Sequence, residues 1–498
     1  PNEVHITIKK ALEQNRELND LYENDESVKK LLDIAMGLEG LPRQASTHAC
    51  GIVITKDPVD TYVPLYVRDN LISTQYIMTT LEELGLLKMD FLGLRTLTVI
   101  QDTINLVKQN RGIDVEYDKD MSDPEVYKLW QDGDTVGIFQ FESQGITNFM
   151  KELKPDCLED IVAGVSLYRP GPMDQIPRYI ANKKDPEHAI YTHPALKPIL
   201  KVTYGCMVYQ EQVMQIVRDL AGYSLGRADL VRRAMGKKKL DVMAKEREYF
   251  IHGQTDENGN IIIPGCVRNG IDEQSANKIF DEMAEFAKYA FNKSHAAAYA
   301  VVSYRTAYLK AYYPAEFMAA TLNSFLGNLD KVPLYIDECK RMNIQILKPE
   351  INKSFTKFTV EDGKIRFGLG SIKNVGIPVL EAIVKNREEQ GPFKDLADFC
   401  ERMQNDSVNK KCIESLIKSG AMDEFNQTRA TLLASYEDIV DSINTSSKRS
   451  LKGQITMFDM GGENDDELEK IKYNYTILDE FSEKELLAME KEMLGLYI

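Results

Sequence analysis

The amino-acid sequence predicts an α+β chain that is predominantly α-helical with one small sheet region, and three observations predict it. Apolar residues recur at helical spacing through most of the 498 residues. Short alternating or apolar runs bounded by turn residues gather between positions 51 and 91. The composition, 43% hydrophobic and 28% charged, is globular, and the chain is too long for one ordinary core, so several compact units are expected.

In chain order, Leu12, Leu18, Leu21, Val28, Leu31, Leu32 and Ile34 read as short helices that stop at Gly40-Leu-Pro42. The runs Gly51-Ile-Val-Ile54, Tyr62-Val-Pro-Leu-Tyr-Val67 and Leu86-Leu-Lys-Met-Asp-Phe91 imply a small sheet. After Thr98 the chain reads as helical to about Gly327, with amphipathic stretches such as Gln212–Leu220 and Tyr304–Tyr312. Phe358–Phe367 has the pattern of a hairpin turning at Asp362-Gly363. Gly368–Gly376 opens a helix from Ile377, and Cys412–Gly420 closes another. From Ser442 to Glu467 the chain is polar and reads as a flexible linker holding one apolar cluster, Ile455-Thr-Met-Phe458.

No stretch approaches the roughly 18 apolar residues of a membrane span, so no membrane partner is expected. The start, Pro1-Asn-Glu-Val-His, carries no basic leader and no apolar core, and a cytoplasmic protein is expected. The seven cysteines stand singly without zinc-like spacing, which predicts reduced thiols. Acidic residues outnumber basic ones by 77 to 61, which alone argues against a nucleic-acid ligand. The charge is unevenly spread, however. Arg232-Arg-Ala-Met-Gly-Lys-Lys-Lys239 is densely basic, while the last forty or so residues are rich in acid.

Several motifs carry chemistry. Lys88-Met-Asp-Phe-Leu-Gly places the Asp90 carboxylate at the end of an apolar strand, where it must be solvated, paired or bound to metal. A salt-bridged or capping aspartate is the other reading. Two-metal phosphoryl transfer needs several carboxylates, and no Asp-x-Asp pair stands in the sheet-like region; Asp114, Asp118 and Asp120 fall in a polar loop. Val165–Met173 is a proline-stiffened turn that holds Arg169, a residue type suited to phosphate. Phe291-Asn-Lys-Ser-His-Ala-Ala-Ala-Tyr299 gathers Lys293, His295 and Tyr299 near one helix start. Each cluster has a solvated-surface alternative, but three in one helical region favour a phosphate-rich ligand. Gly368–Gly376 lacks the Gly-Lys-Ser/Thr ending of an ATPase loop and instead suits a helix-hairpin-helix turn that offers N–H groups to a phosphate. Gln454-Ile-Thr-Met-Phe458 has no evident core to join, as in peptides that dock in a partner's pocket.

Together these strings resemble the C-family bacterial replicative DNA polymerases over essentially the whole chain. Leu41–Ile54, Lys88–Thr98, Tyr168-Arg-Pro-Gly-Pro172, Tyr209-Gln-Glu-Gln-Val-Met214, Arg232–Lys239 and Phe291–His295 follow the family's order and register. The resemblance implies a polymerase-beta-like nucleotidyltransferase palm, present in part, with large helical fingers and a tandem helix-hairpin-helix region. Residues 1–45 would end the thumb, 46–105 form the second half of the palm, 106–350 the fingers, 351–440 the helix-hairpin-helix region and 441–498 an acidic linker. Asp90 would be a catalytic carboxylate and magnesium ligand, with Lys88 beside it. Arg169, Tyr209, Arg232, Arg233, Lys237, Lys293, His295 and Tyr299 would surround the incoming nucleotide and template, with Tyr209 or Tyr299 stacking near the base pair. Gln454, Met457 and Phe458 would grip the sliding clamp. The implied partners are primer-template DNA, a deoxynucleoside triphosphate, the clamp and other replisome subunits. The family's Pro-Asp-x-Asp-x-Asp strand does not occur in these residues, so a two-magnesium centre is expected to be incomplete and the piece inactive alone. The alternative is a DNA- and clamp-binding module without catalysis.

Overall fold

The computed structural model describes residues 6–41, 46–68, 70–169, 171–236, 240–287, 289–328, 331–404, 408–451 and 473–497. The chain is predominantly helical and divides into two compact units, one up to Leu94 and one from Arg95.

The first unit opens with helices α1 (Ile8–Gln14), α2 (Arg16–Asn24) and α3 (Glu26–Leu38). The breaks between them have a local cause. Thr7, Asn15 and Asp25 turn their side-chain oxygens onto the first free N–H groups of the following helix, and Asn15 and Asp25 each also cap the C-terminus of the helix before. Next come strands β1 (Gly51–Ile54), β2 (Leu65–Arg68) and β3 (Leu71–Thr74), helix α4 (Met78–Glu83) and strand β4 (Leu87–Asp90). The single sheet expected here is instead two antiparallel ribbons among the described residues, β1 with β4 and β2 with β3. Pro58 and Pro64 bracket a single turn at Val59–Thr61 and lack the N–H groups that would carry one ladder into the next. The described apolar side chains buried in this unit are Leu12, Val63 and Leu81, while Ile52, Leu87 and Met89 of the β1–β4 ribbon are exposed.

The second unit begins with α5 (Arg95–Arg111), α6 (Pro124–Asp132), α7 (Gln144–Leu153), α8 (Leu158–Leu167) and α9 (Ile176–Lys184). It continues through α10 (Lys197–Leu200), α11 (Gln210–Ala221), α12 (Leu225–Gly236) and α13 (Leu240–His252) to a short ribbon of β5 (Gln254–Thr255) and β6 (Ile261–Ile263). Helices α14 (Glu273–Phe286), α15 (Lys293–Tyr312), α16 (Pro314–Asn323) and α17 (Val332–Arg341) follow. Strands β7 (Ile346–Leu347), β8 (Thr359–Glu361) and β9 (Lys364–Arg366) form a three-stranded sheet in the order β7-β9-β8. The β8–β9 hairpin turns at Asp362 (φ 48°) and Gly363 (φ 74°), the two left-handed positions that Asp-Gly foretold. The unit closes with α18 (Ile377–Gln390), α19 (Leu396–Arg402), α20 (Lys410–Lys418), α21 (Arg429–Leu451) and α22 (Glu483–Leu494). Helix α21 corrects the linker expected from Ser442: buried Ile439 and Ile443 continue its apolar stripe, and the backbone stays helical to Leu451.

Three buried clusters fill this unit. Trp130, Phe141, Tyr179, Tyr209 and Tyr304 centre the first, between α6–α9 and α15. Val213, Ile216, Val231, Phe250 and Phe280 centre the second, among α11–α14. The third joins α5 and α16 to the elements after α17.

Candidate functional site

In the first cluster Tyr209 forms a parallel bridge with Phe291, where the Gln210 N–H donates to the Phe291 carbonyl at 2.8 Å. This bridge sets the starts of α11 and α15 side by side. Glu211 accepts from the Lys293 N–H at 2.9 Å, and Asn292 accepts from the His295 N–H at 2.9 Å, so two of the unsatisfied N–H groups that begin α15 are held by side chains.

The candidate residues described in the second unit converge on this junction. Arg169, just past α8, lays its guanidinium 4.0 Å over the Phe291 ring and donates to the carbonyls of Ser166 (3.0 Å) and Tyr289 (3.1 Å). Burial lowers its pKa, and among the described residues it pairs with no carboxylate. The Lys293 ammonium sits 5.2 Å over the Tyr209 ring and 3.2 Å from Glu159. His295 packs against Phe291 at 5.4 Å and Tyr299 at 4.2 Å between ring centres, and Tyr299 meets Phe139 at 5.1 Å. Arg232 donates to Asp229 and, at 3.1 Å, to Gln210, whose own amide donates to the Ala290 carbonyl. Arg233 donates to the other oxygen of Asp229 at 2.7 Å and is 64% exposed. Tyr209 stands apart in one respect: its ring is 0% exposed and its hydroxyl has no protein partner, so it offers no open face to a base and reaches the cluster as the floor beneath Lys293. Lys237, Gln454, Met457 and Phe458 lie outside the described residues.

Asp90 and Lys88 belong to the first unit. Both stand on β4, where alternation puts residues two apart on one face. The Lys88 ammonium is 2.5 Å from the Asp90 carboxylate, and that hydrogen bond is the main cause holding the carboxylate below its usual range. Gly51 lies opposite Asp90 in the β1–β4 register, and a Cβ there would come within 2.6 Å of the Lys88 side chain and 3.0 Å of Asp90. A side chain at Gly51 would therefore push the Lys88 side chain away from its place beside Asp90. Magnesium prefers oxygen donors, and an ionised, half-exposed carboxylate with one oxygen unshared suits it. His48 and Cys50 lie within reach of the same carboxylate. The His48 Nδ1 is already accepting from the N–H groups of Cys50 (3.2 Å) and Gly51 (2.7 Å), and the thiol is a soft donor, so neither suits magnesium.

Three domain models match parts of the chain. The model of the bacterial DNA polymerase III alpha NTPase domain matches residues 1–93, that of the bacterial DNA polymerase III alpha subunit finger domain matches 96–258, and a helix-hairpin-helix motif matches 343–432. The DNA polymerase III subunit alpha of Borreliella burgdorferi is 42% identical over 501 residues, covering 100% of this chain and 42% of the relative. Its counterpart from Bacillus subtilis is 43% identical, covering 100% and 43%, and that from Thermus aquaticus is 44% identical, covering 99% and 39%. The chain belongs to the bacterial DNA polymerase III alpha-subunit family. It spans about two fifths of the length of the curated relatives it matches.

The acidic residues that hold these cations were not singled out from sequence. Asp229 stands three and four residues before Arg232 and Arg233, a spacing that pairs charges on a helix and was legible. Glu159 and Glu211 gave no such signal, because their partner Lys293 lies 134 and 82 residues away. Among the described residues, no helix is long and apolar enough to cross a membrane.

Proposed function

We propose that this chain supplies much of the nucleotide- and DNA-handling body of a replicative polymerase that performs template-directed DNA synthesis. In that reaction a primer 3′-hydroxyl attacks the α-phosphorus of a deoxynucleoside triphosphate. The new oxygen–phosphorus bond forms as the bond to the bridging oxygen breaks, and pyrophosphate leaves in line. Residues 46–105 act as the second half of the palm, 106–350 as fingers, 351–440 as a tandem helix-hairpin-helix region that tracks DNA backbone, and the Gln454–Phe458 peptide as the grip on a sliding clamp.

The observation that carries this reading is the environment of Arg169. A half-buried guanidinium that is satisfied by two carbonyls and an aromatic face, with no described carboxylate, keeps a positive charge available for an anion. Arg169 is the primary triphosphate contact. Lys293, Arg232 and Arg233 add charge, and the His295–Tyr299 pair offers an aromatic surface to base or sugar. Lys88 keeps Asp90 ionised and oriented, and Asp90 would be the residue that holds a magnesium ion. Bound magnesium would neutralise charge on the transferring phosphoryl group. These 498 residues bring one such carboxylate, so by themselves they act as a DNA- and clamp-binding module and do not extend a primer.

The test is binding of a fluorescent deoxynucleoside triphosphate to the chain at low and moderate salt. Arg169→Met should weaken binding about tenfold or more and flatten its salt dependence, with the emission of the single tryptophan, Trp130, unchanged as the folding control. Equal affinity in the variant would remove Arg169 from this role.

A further inference from the structure

Asp229 is one carboxylate shared by two guanidiniums. Its Oδ1 accepts from the Arg232 Nε (3.0 Å) and Nη2 (2.6 Å), and its Oδ2 accepts from the Arg233 Nε (2.7 Å). Arg232 has one further partner: its Nη1 donates at 3.1 Å to Gln210 on α11, which is itself fixed to the Ala290 carbonyl at 3.0 Å. The carboxylate thus occupies the Nε/Nη edge of Arg232, the edge that grips a phosphate with two parallel hydrogen bonds. One negative charge against two positive ones leaves the group attractive to anions, yet no anion reaches that edge of Arg232 without displacing Asp229.

We propose that Asp229 is a positioning residue that competes with phosphate for Arg232 and Arg233: it holds them ready, yields them to a polyphosphate, and reclaims them when pyrophosphate leaves. This rests on the reading of the two arginines as phosphate contacts. Asp229 therefore weakens pyrophosphate binding, and its worth lies in faster release. Neutralising it while keeping its shape has an unusual sign. A carboxylate that served only to hold the fold would, on removal, loosen the site and weaken every ligand. A competing carboxylate, on removal, tightens the anion.

The measurement is calorimetric titration of the full chain with inorganic pyrophosphate at low salt. Asp229→Asn should bind roughly three- to tenfold more tightly than the unaltered chain, the range expected for losing two partly exposed pairings. Asp229→Glu, which keeps the charge, should stay near the unaltered value. The gain should vanish when Arg232→Ala and Arg233→Ala are added. Asp229→Asn affinity equal to or weaker than the unaltered chain, with binding still lost in the arginine variant, would overturn the role of Asp229 and leave the arginines as phosphate contacts. Pyrophosphate binding that is absent from every variant, or indifferent to both arginines, would overturn the underlying reading as well. A thermal melt of each variant separates these outcomes from unfolding.

Discussion

A guanidinium taken out of water costs free energy unless hydrogen bonds and a counter-charge restore what it lost, and among the described residues Arg169 has the first without the second. The missing counter-charge is what an incoming phosphate would supply. Lysine does not reproduce this seat, because a point charge has neither the planar face that covers Phe291 nor the fork that reaches the Ser166 and Tyr289 carbonyls together. Arg169→Lys should therefore lose most of the nucleotide affinity that Arg169→Met loses, a comparison made in the same fluorescence titration. At this scale the sequence was informative where a motif confined a side chain. The Arg-Pro-Gly-Pro turn and the Asn-Lys-Ser-His helix start put Arg169, Lys293 and His295 in one place. It was silent on the inward direction of Tyr209, since an aromatic residue ahead of a helix packs in or out according to partners far along the chain. Phe291, the bridge partner of Tyr209, is 82 residues away.

Elements meet the site through backbone geometry. Gly171 has φ +102°, a value that side-chain-bearing residues rarely adopt, and a Cβ there would come within 2.4 Å of the Tyr289 ring. The carbonyl of that same Tyr289 receives Arg169. Gly171→Ala should thus cost about 1–3 kcal/mol in a denaturant melt and also weaken nucleotide binding, because the ring and its carbonyl must shift together. A stability loss with unchanged binding would mean that the turn supports the fold alone. Hairpin β8–β9 was legible because Asp-Gly dictates its turn. The β5–β6 ribbon was overlooked inside a stretch read as helical, although Asn258-Gly259 before Ile261-Ile-Ile263 carried the signal. The reach of α21 past Ser442 depends on burying Ile439 and Ile443 against the third cluster, which polar composition conceals.

Over the whole molecule, cohesion is unequal. In the second unit Arg429, at the start of α21, joins Asp423 at 2.7 Å and buried Glu490 of α22 at 2.9 Å. Asp423 keeps Arg429 paired when Glu490 is neutralised, so Glu490→Gln should lower stability by only about 1–2 kcal/mol, the worth of one charge-assisted hydrogen bond, read as a shift in the denaturation midpoint. The first unit buries few apolar side chains, and brief protease treatment should cut within residues 6–94 before it cuts the second unit. The Gln454–Phe458 peptide makes a prediction of its own: Met457→Ala with Phe458→Ala should abolish binding to a sliding clamp while leaving salt-dependent DNA binding unchanged. The most direct test of the polymerase reading is primer extension by the full-length alpha subunit, with Asp90→Asn compared with the unaltered protein at saturating magnesium. Loss of extension by several hundredfold or more, with primer-template affinity retained, is the predicted result; extension at the unaltered rate would contradict the assignment of Asp90 and, with it, the palm that the account builds around β4.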